Sequence, residues 1–326
     1  METAATTQAE PHGPAPGPAG PGTSAGAGAP ARAGAPARAS RTAGAGAPAG
    51  AGRTAGTGGP APAPEAWPGI PQALLRPPCD VEILIPAKNE ARRLPHALFR
   101  MIRYLEQQSY TSSLVVIDNG SVDRTVNLVK RLGSGRVPIH LVGCAERGKG
   151  AAVRRGVLTS SARFVGYMDA DLATPIETLD FIVPLLKGGY QAVIGSRHVG
   201  GATLAEPQPG RRILGGAVFR LLARRILPGI EDSQCGCKFF TAETARAAVN
   251  ELQVTGFAFD VELLRAVIAL DVNIVEIPVV WSDQEGSTLN GLRDGVKAVA
   301  DVFRLARRSG FLCAGWSRSP GIGFSS

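Results

Sequence analysis

The sequence predicts an open, doubly wound α/β fold, with a mostly parallel sheet flanked by helices. Three observations carry that expectation. Short apolar runs alternate with helical periodicity between Val81 and Ile194. Polar clusters fall where those runs end, the edge at which such sheets bind ligands. Composition then confines the pattern to one domain of about residues 80–308, a length suited to a single large α/β unit.

Outside that domain the chain changes character. Residues 1–75 are dominated by Ala, Gly and Pro, with Thr and Ser. Such a segment buries too little apolar surface to offset its conformational entropy, so it is expected to be a disordered tail. It has no long apolar h-region, and its arginines (Arg32, Arg38, Arg41, Arg53) are scattered singly, which disfavours a secretory signal or transit peptide. Residues 309–326 read as a short flexible tail. The net charge is +8, and the N-terminal tail sets those four arginines against Glu2, Glu10 and Glu65, so most of the excess lies on the domain. A basic surface suits phosphate-bearing partners such as sugar nucleotides or anionic lipid. Few aromatics and no stacking repeat argue against nucleic acid. Five scattered cysteines fit a reducing, cytoplasmic setting. Cys235-Gly236-Cys237 lacks the second pair or His cluster that a structural zinc needs. No apolar run approaches membrane-spanning length, so any membrane contact is expected to be peripheral.

The elements follow in order. Val81 to Pro86 reads as a buried strand and Glu90 to Gln107 as a helix. Ser113 to Asp118 is a second strand and Val122 to Leu132 a helix; Val137 to Val142 is a third strand, with a helix opening near Gly150. Arg163 to Met168 is a strand, Ile176 to Leu186 a helix, and Gln191 to Ile194 a further strand. Beyond Gly195 the alternation loosens: a Pro-containing loop spans Leu204 to Gly210, and Arg211 to Leu227 is apolar and studded with arginines. Phe239, Phe240, Val261 to Leu270 and Ile274 to Trp281 supply more core. The last helix places Leu292, Val296, Val299, Phe303 and Ala306 on one face and Arg293, Lys297, Arg304 and Arg308 on another. It reads as packed on its own domain, or with its basic face near anionic lipid.

The chemistry concentrates at the strand ends. Asp169-Ala170-Asp171 follows the run Phe164 to Met168, and strand periodicity turns its two carboxylates the same way. Paired carboxylates suit a hard cation shared with substrate phosphates, although Asp-x-Asp also occurs in solvated turns. Pro86-Ala87-Lys88-Asn89-Glu90 and Asp118-Asn119-Gly120-Ser121-Val122-Asp123 close the first two strands. Arg147-Gly148-Lys149-Gly150 precedes a helix, where Lys149 can neutralise phosphate and the glycines permit close backbone approach. Gly195-Ser196-Arg197 ends a later strand. Turn and capping roles alone explain Asn89, Ser121 and Asp123, but all these clusters at one edge are less easily explained by capping.

Together these residues resemble glycosyltransferase family 2, in the branch containing dolichyl-phosphate β-glucosyltransferases, near the polyprenyl-phosphate mannose synthases. The matching pieces are Ile85 to Glu90, Asp118 to Ser121, Arg147 to Ala151 and Asp169 to Asp171. Further on come Gly195 to Arg197, Asp232 to Phe240, Phe257 to Leu264 and Glu276 to Trp281. The resemblance implies a GT-A fold, Rossmann-like, in a single catalytic domain. It implies that Pro86, Asn89 and Glu90 line the nucleotide pocket, that Asp118 accepts a hydrogen bond from the base, and that Lys149 approaches base or phosphate. Asp169 and Asp171 would coordinate a divalent cation, Mg²⁺ or Mn²⁺, on the diphosphate. Arg197 and Lys238 would compensate phosphate charge, and Arg211 and Arg212 would receive the acceptor phosphate. Two departures stand out. Asn119 replaces the second of two acidic residues common before Gly120, and Ala173 stands where mannose synthases often carry Gln, which favours the glucosyl branch.

The implied reaction is an inverting hexosyl transfer from a nucleotide-sugar donor, UDP-glucose in first place, to a polyprenyl or dolichyl phosphate. It would take place on the cytoplasmic face of an anionic membrane. A lipid phosphate is already anionic, so little general-base help is required; should a base be needed, Asp232 and Asp260 are the candidates, each equally readable as a cap or structural carboxylate. GDP-mannose as donor, a small soluble acceptor, and a binding protein with a decayed site are the alternatives. The intact Asp169/Asp171 pair with Lys149 speaks against decay.

Overall fold

The computed structural model describes residues 38–39, 75–132, 135–204, 219–282 and 291–308. Strand β1 (Val81–Ala87) lies in the interior of the sheet, where Ile83, Leu84 and Ile85 are fully buried and covered on both faces. It is followed by α1 (Leu94–Leu105), β2 (Ser112–Asp118), α2 (Thr125–Arg131), β3 (Ile139–Gly143), α3 (Lys149–Leu158) and β4 (Phe164–Met168). Then come α4 (Leu179–Lys187), β5 (Ala192–Ser196), β6 (Cys237–Thr241), α5 (Ala242–Asn250), α6 (Phe259–Ala269), β7 (Ile274–Pro278) and α7 (Gly291–Arg308).

These seven strands lie in the order β7-β5-β6-β4-β1-β2-β3. A two-residue strand, Arg38–Ala39, pairs antiparallel at the β7 edge, and Thr203–Leu204 pairs with Val280–Trp281 in a separate ribbon. All seven domain strands are parallel except β6, which runs antiparallel to both β4 and β5. Alternate side chains enter two cores. Leu84, Val115, Ile117 and Tyr167 face one; Ile83, Ile85, Leu114 and Val116 face the other. Pro86 is tolerated in a central strand because pairing with β4 stops at Leu84.

The expected alternation holds through Ser196, with helices shorter than expected. Pro95 near the start of α1 fixes its first turn, so the helix opens at Leu94. Before α4, Ile176–Thr178 forms a 3₁₀ turn. Strand β6 was not expected as a strand. Its second residue, Lys238, interrupts the apolar run, yet that side chain is fully buried and ion-paired. Residues 219–226 are helical, and they bury Ala223 and Ile226 while leaving Leu221 exposed. Helix α7 buries Ala298, Val302 and Leu305, whereas Phe303, expected on the packed face, is 45% exposed. The apolar arc is broad, and packing rotates the helix so that its other margin meets the core.

Candidate functional site

Because parallel strands share a direction, β1, β2, β4 and β5 all end at one edge, and antiparallel β6 begins there. Met168 is opposite Cys237, so the residues just beyond them, Asp169 and Gly236, meet: Asp169 N–H donates to the Gly236 carbonyl at 3.1 Å. A Cβ built on Gly236 would lie 1.9 Å from Asp169 Oδ2. Gly236 is therefore the space the carboxylate occupies. The Cys-Gly-Cys run, read from sequence only for its sulfurs, contributes its glycine instead; burial pushes the Cys235 thiol up to about 11.

The strand-period reasoning for the acidic pair does not hold in detail. Strand β4 stops at Met168, and Asp169-Ala170-Asp171 forms a turn closed by Leu172 in the left-handed region (φ 53°) and by Ala173 N–H on Asp171 Oδ1 at 3.1 Å. The two carboxylates still sense each other: burial first, then the Asp169 charge, raises the Asp171 carboxyl above its ordinary value. Hard oxygen donors under mutual repulsion, with solvent access on both side chains, fit a divalent cation whose other ligands come from phosphate and water.

Two cations flank the pair. Lys149 Nζ lies 2.6 Å from Asp169 Oδ1, with its ammonium 5.6 Å from the Tyr167 ring centroid. Burial alone would lower the Lys149 pKa, but Asp169 and then Asp260 hold it above the ordinary lysine value. Arg93 reaches Asp171 Oδ2 at 3.7 Å and grips the Glu90 carboxylate with bonds of 2.8 and 2.7 Å. Sequence reasoning missed Arg93; its place one turn beyond Glu90 was the available signal. Burial raises the Glu90 carboxyl, and Arg93 counteracts it.

The β1 and β2 ends are stapled together. Asn89, at φ 57°, donates its N–H to Ser121 Oγ and accepts from Val122 N–H, each at 2.9 Å; Glu90 N–H donates to Thr125 Oγ1. The Asp118 carboxylate accepts from Ser121 N–H at 3.2 Å and Gly120 N–H at 3.3 Å, leaving acceptor capacity toward the edge. Asn119 faces inward: its Oδ1 accepts from Gly148 N–H at 2.7 Å and its amide donates to the Glu146 carbonyl at 2.6 Å. It thus ties β2 to the loop that carries Lys149.

The glycines of Arg147-Gly148-Lys149-Gly150 serve packing rather than phosphate approach. Cβ atoms there would meet the Thr255 carbonyl at 2.0 Å from Gly148 and Phe259 at 2.6 Å from Gly150, and Gly150 N–H donates to Thr255 O at 2.8 Å. The 253–258 segment, itself fixed by Gln253 and Val254 N–H on Glu262, clamps the start of α3.

Neither carboxylate considered as a base is arranged as one. Asp232, 2% exposed, takes Arg197 in a two-point ion pair at 2.7 and 2.9 Å and accepts the N–H groups of Arg197, Gln234 and Cys235. Burial would raise its pKa, but Arg197 holds it well below the usual carboxylate range. Asp260, also 2% exposed, binds Lys238 at 2.8 Å and the Tyr167 hydroxyl. Both are buried and engaged by cations. Lys238 is fully buried beneath the edge, bonded to Asp260 and the Cys235 carbonyl, so it does not reach out to phosphate. Arg197 stacks 5.6 Å from the Trp281 ring centroid and remains partly accessible. Arg211 and Arg212 lie outside the described residues. A hollow of about 500 Å³ between Phe99, Arg103, Tyr104 and Asp180 lies on the α1–α4 flank, away from this edge.

Comparison with known proteins meets this geometry. The family model described as glycosyl transferase family 2 matches residues 82–245, from the second residue of β1 into α5. A protein of Dictyostelium discoideum named dolichyl-phosphate beta-glucosyltransferase is 32% identical over 245 residues, covering 70% of this chain and 74% of its own. One of the same name from Drosophila melanogaster is 33% identical over 256 residues, covering 74% and 78%. Among solved structures, glucosyl-3-phosphoglycerate synthase from Mycobacterium tuberculosis, in complex with Mn²⁺, uridine diphosphate and glucosyl-3-phosphoglycerate, superposes with a TM-score of 0.54 at 19% identity. That match covers 71% of this chain and 80% of the other, and it shares the mostly parallel sheet described above. By this family match and these relatives, the chain belongs to glycosyltransferase family 2, with the GT-A fold.

Proposed function

We propose that the protein transfers glucose from UDP-glucose to the phosphate of dolichol or a related polyprenol, inverting the anomeric carbon. One juxtaposition carries the reading: at the end of β4, Asp169 and Asp171 face solvent beside Lys149 and Arg93, a mixed-charge site built for a diphosphate and its cation. The names of the relatives at 32% and 33% identity support the choice of sugar and acceptor.

Asp169 and Asp171 would hold Mg²⁺ or Mn²⁺, which when bound supplies Lewis-acid neutralisation of the leaving diphosphate. The remaining work falls to side chains of the chain itself. Asp118 offers its free acceptor capacity to the base, and the Asn89–Ser121 staple, with Pro86 behind it, forms a rigid wall of the nucleotide pocket. Lys149 meets the diphosphate. Arg197, aimed by Asp232, compensates phosphate charge on the sugar side. An oxygen of the acceptor phosphate attacks the anomeric carbon, the bond to the diphosphate oxygen breaks opposite, and UDP departs. No proton needs to move, which accords with Asp232 and Asp260 being fully engaged by cations.

No described helix is long and apolar enough to cross a membrane. The segment at 219–226 exposes Leu221 (59%) among the exposed Arg224 and Arg225, an apolar tip flanked by cations that suits an anionic lipid surface. We assign this face to the cytoplasmic membrane surface, and Arg211 and Arg212, which precede it in the sequence and lie outside the described residues, to the acceptor phosphate.

Incubation with UDP-glucose, GDP-mannose and other sugar nucleotides in the presence of polyprenyl phosphate, followed by mass measurement of the lipid, tests the proposal. A hexosyl polyprenyl phosphate formed from UDP-glucose is expected. A product formed solely from GDP-mannose, or no lipid product with any donor, would overturn it.

A further inference from the structure

We propose that Lys149 is a built-in counter-ion that couples cation binding to nucleotide binding: its ammonium holds Asp169 when the site is empty and transfers to the diphosphate when cation and nucleotide enter together. This rests on the donor-site reading above and goes beyond it, since it concerns the order and linkage of binding.

Four observations lead there. Lys149 is the cation paired with Asp169 among the described residues, at 2.6 Å, and it does so on the very carboxylate that a divalent ion would need. The two side chains are 16% and 38% exposed, so the pair is partly shielded from water and reachable from the edge. Asp260, the next carboxylate inward, loses no direct partner if the ammonium leaves, because Lys238 and the Tyr167 hydroxyl already occupy it. Finally, the backbone at Lys149 is pinned: Gly148 presses on Thr255 and Gly150 on Phe259, and Gly150 N–H bonds the Thr255 carbonyl. Any exchange is confined to rotation of the side chain, whose ammonium lies 5.6 and 6.0 Å from the Tyr167 and Phe259 ring centroids.

The consequence is a linkage. A divalent ion arriving alone must displace the ammonium from Asp169, its ion-pair partner among the described residues, and must then sit beside a like charge. A nucleoside diphosphate arriving alone meets two carboxylates. Arriving together, the diphosphate receives the ammonium and the carboxylates receive the ion. Each ligand therefore raises the affinity of the other by the same factor.

Mn²⁺ titration followed by electron paramagnetic resonance, with and without UDP, reads this directly and without turnover. Lys149→Met keeps the apolar stem against the two rings and removes only the charge; circular dichroism checks its fold, and Lys149→Gln replaces it should it not fold. Lys149→Met is expected to bind nucleotide-free Mn²⁺ about tenfold more tightly than the wild type. The gain in Mn²⁺ affinity on adding UDP should shrink in the same variant. Lys149→Arg should behave as the wild type, and Lys88→Met, which removes an exposed charge after β1, should change nucleotide-free affinity less than about twofold. If Lys149→Met leaves nucleotide-free affinity unchanged while UDP still recruits Mn²⁺, the coupling role is overturned and the donor site stands. If no protein binds Mn²⁺ even with UDP, both are overturned.

Discussion

Gly236 and Asp169 occupy one space across the β4–β6 pair: a Cβ on the glycine would lie 1.9 Å from the carboxylate Oδ2 and 2.4 Å from its Cγ. The side chain of Asp169 is short, so a methyl group there forces the carboxylate to another rotamer. Gly236→Ala is expected to lower kcat/KM roughly 100-fold through misplacement of a charged group by about an ångström. Its melting temperature should stay close to that of the wild type, because the displaced group lies at the accessible edge. Steady-state kinetics and a thermal melt check both statements; undiminished kcat/KM would mean the carboxylate position is not critical.

Much of this was legible in the sequence, for identifiable reasons. Ile83 to Ile85 and Val115 to Ile117 read as strands because residues buried on both sheet faces form continuous apolar runs. Strand β6 was not legible: Lys238 looks like an interruption until Asp260, far along the chain, is known to neutralise it. The acidic pair was legible as chemistry but not as geometry, since nothing local announces that β4 ends at Met168. Gly236 was visible only as part of a cysteine motif. Its value comes from register across two antiparallel strands, which local pattern does not encode. The face of α7 was misjudged at Phe303 because tertiary packing chose between two margins of a wide apolar arc.

Asp171 is partly exposed and contributes charge rather than packing. Asp171→Asn should fold normally and lose cation-dependent turnover by at least about 100-fold, as expected when a group that stabilises developing charge is removed. Turnover at the wild-type rate in saturating Mn²⁺ would remove Asp171 from the site.

The Arg197–Asp232 pair predicts a pH signature. The folded-state pKa of Asp232 is depressed, so its contribution is complete above the ordinary aspartate value of about 3.9 and is lost as pH falls toward the depressed one. Asp232→Asn should cost about 3 kcal/mol at neutral pH, by leaving Arg197 without its anion. The difference from the wild type should shrink as pH drops below about 4. Denaturant unfolding at several pH values measures it; a constant difference across that range would contradict the assignment.

At the opposite end of β1, Arg76 binds Glu82 through Nε at 2.7 Å, Thr159 Oγ1 at 2.6 Å and the Gly156 carbonyl at 2.8 Å, with Glu82 fully buried. Arg76→Ala strands that carboxylate and should destabilise the domain by about 3–5 kcal/mol. Adding Glu82→Gln should restore part of the loss, a coupling that a double-mutant cycle reads out. UDP affinity of the folded fraction should not change, since the pair lies away from the strand-end edge.

Calorimetric titration of UDP-glucose, in Mn²⁺ and in excess chelator, tests the donor site most directly. Binding in Mn²⁺ that is lost with chelator, and lost again in Asp171→Asn, is the predicted result. Equal binding under all three conditions would contradict a donor site built on Asp169 and Asp171.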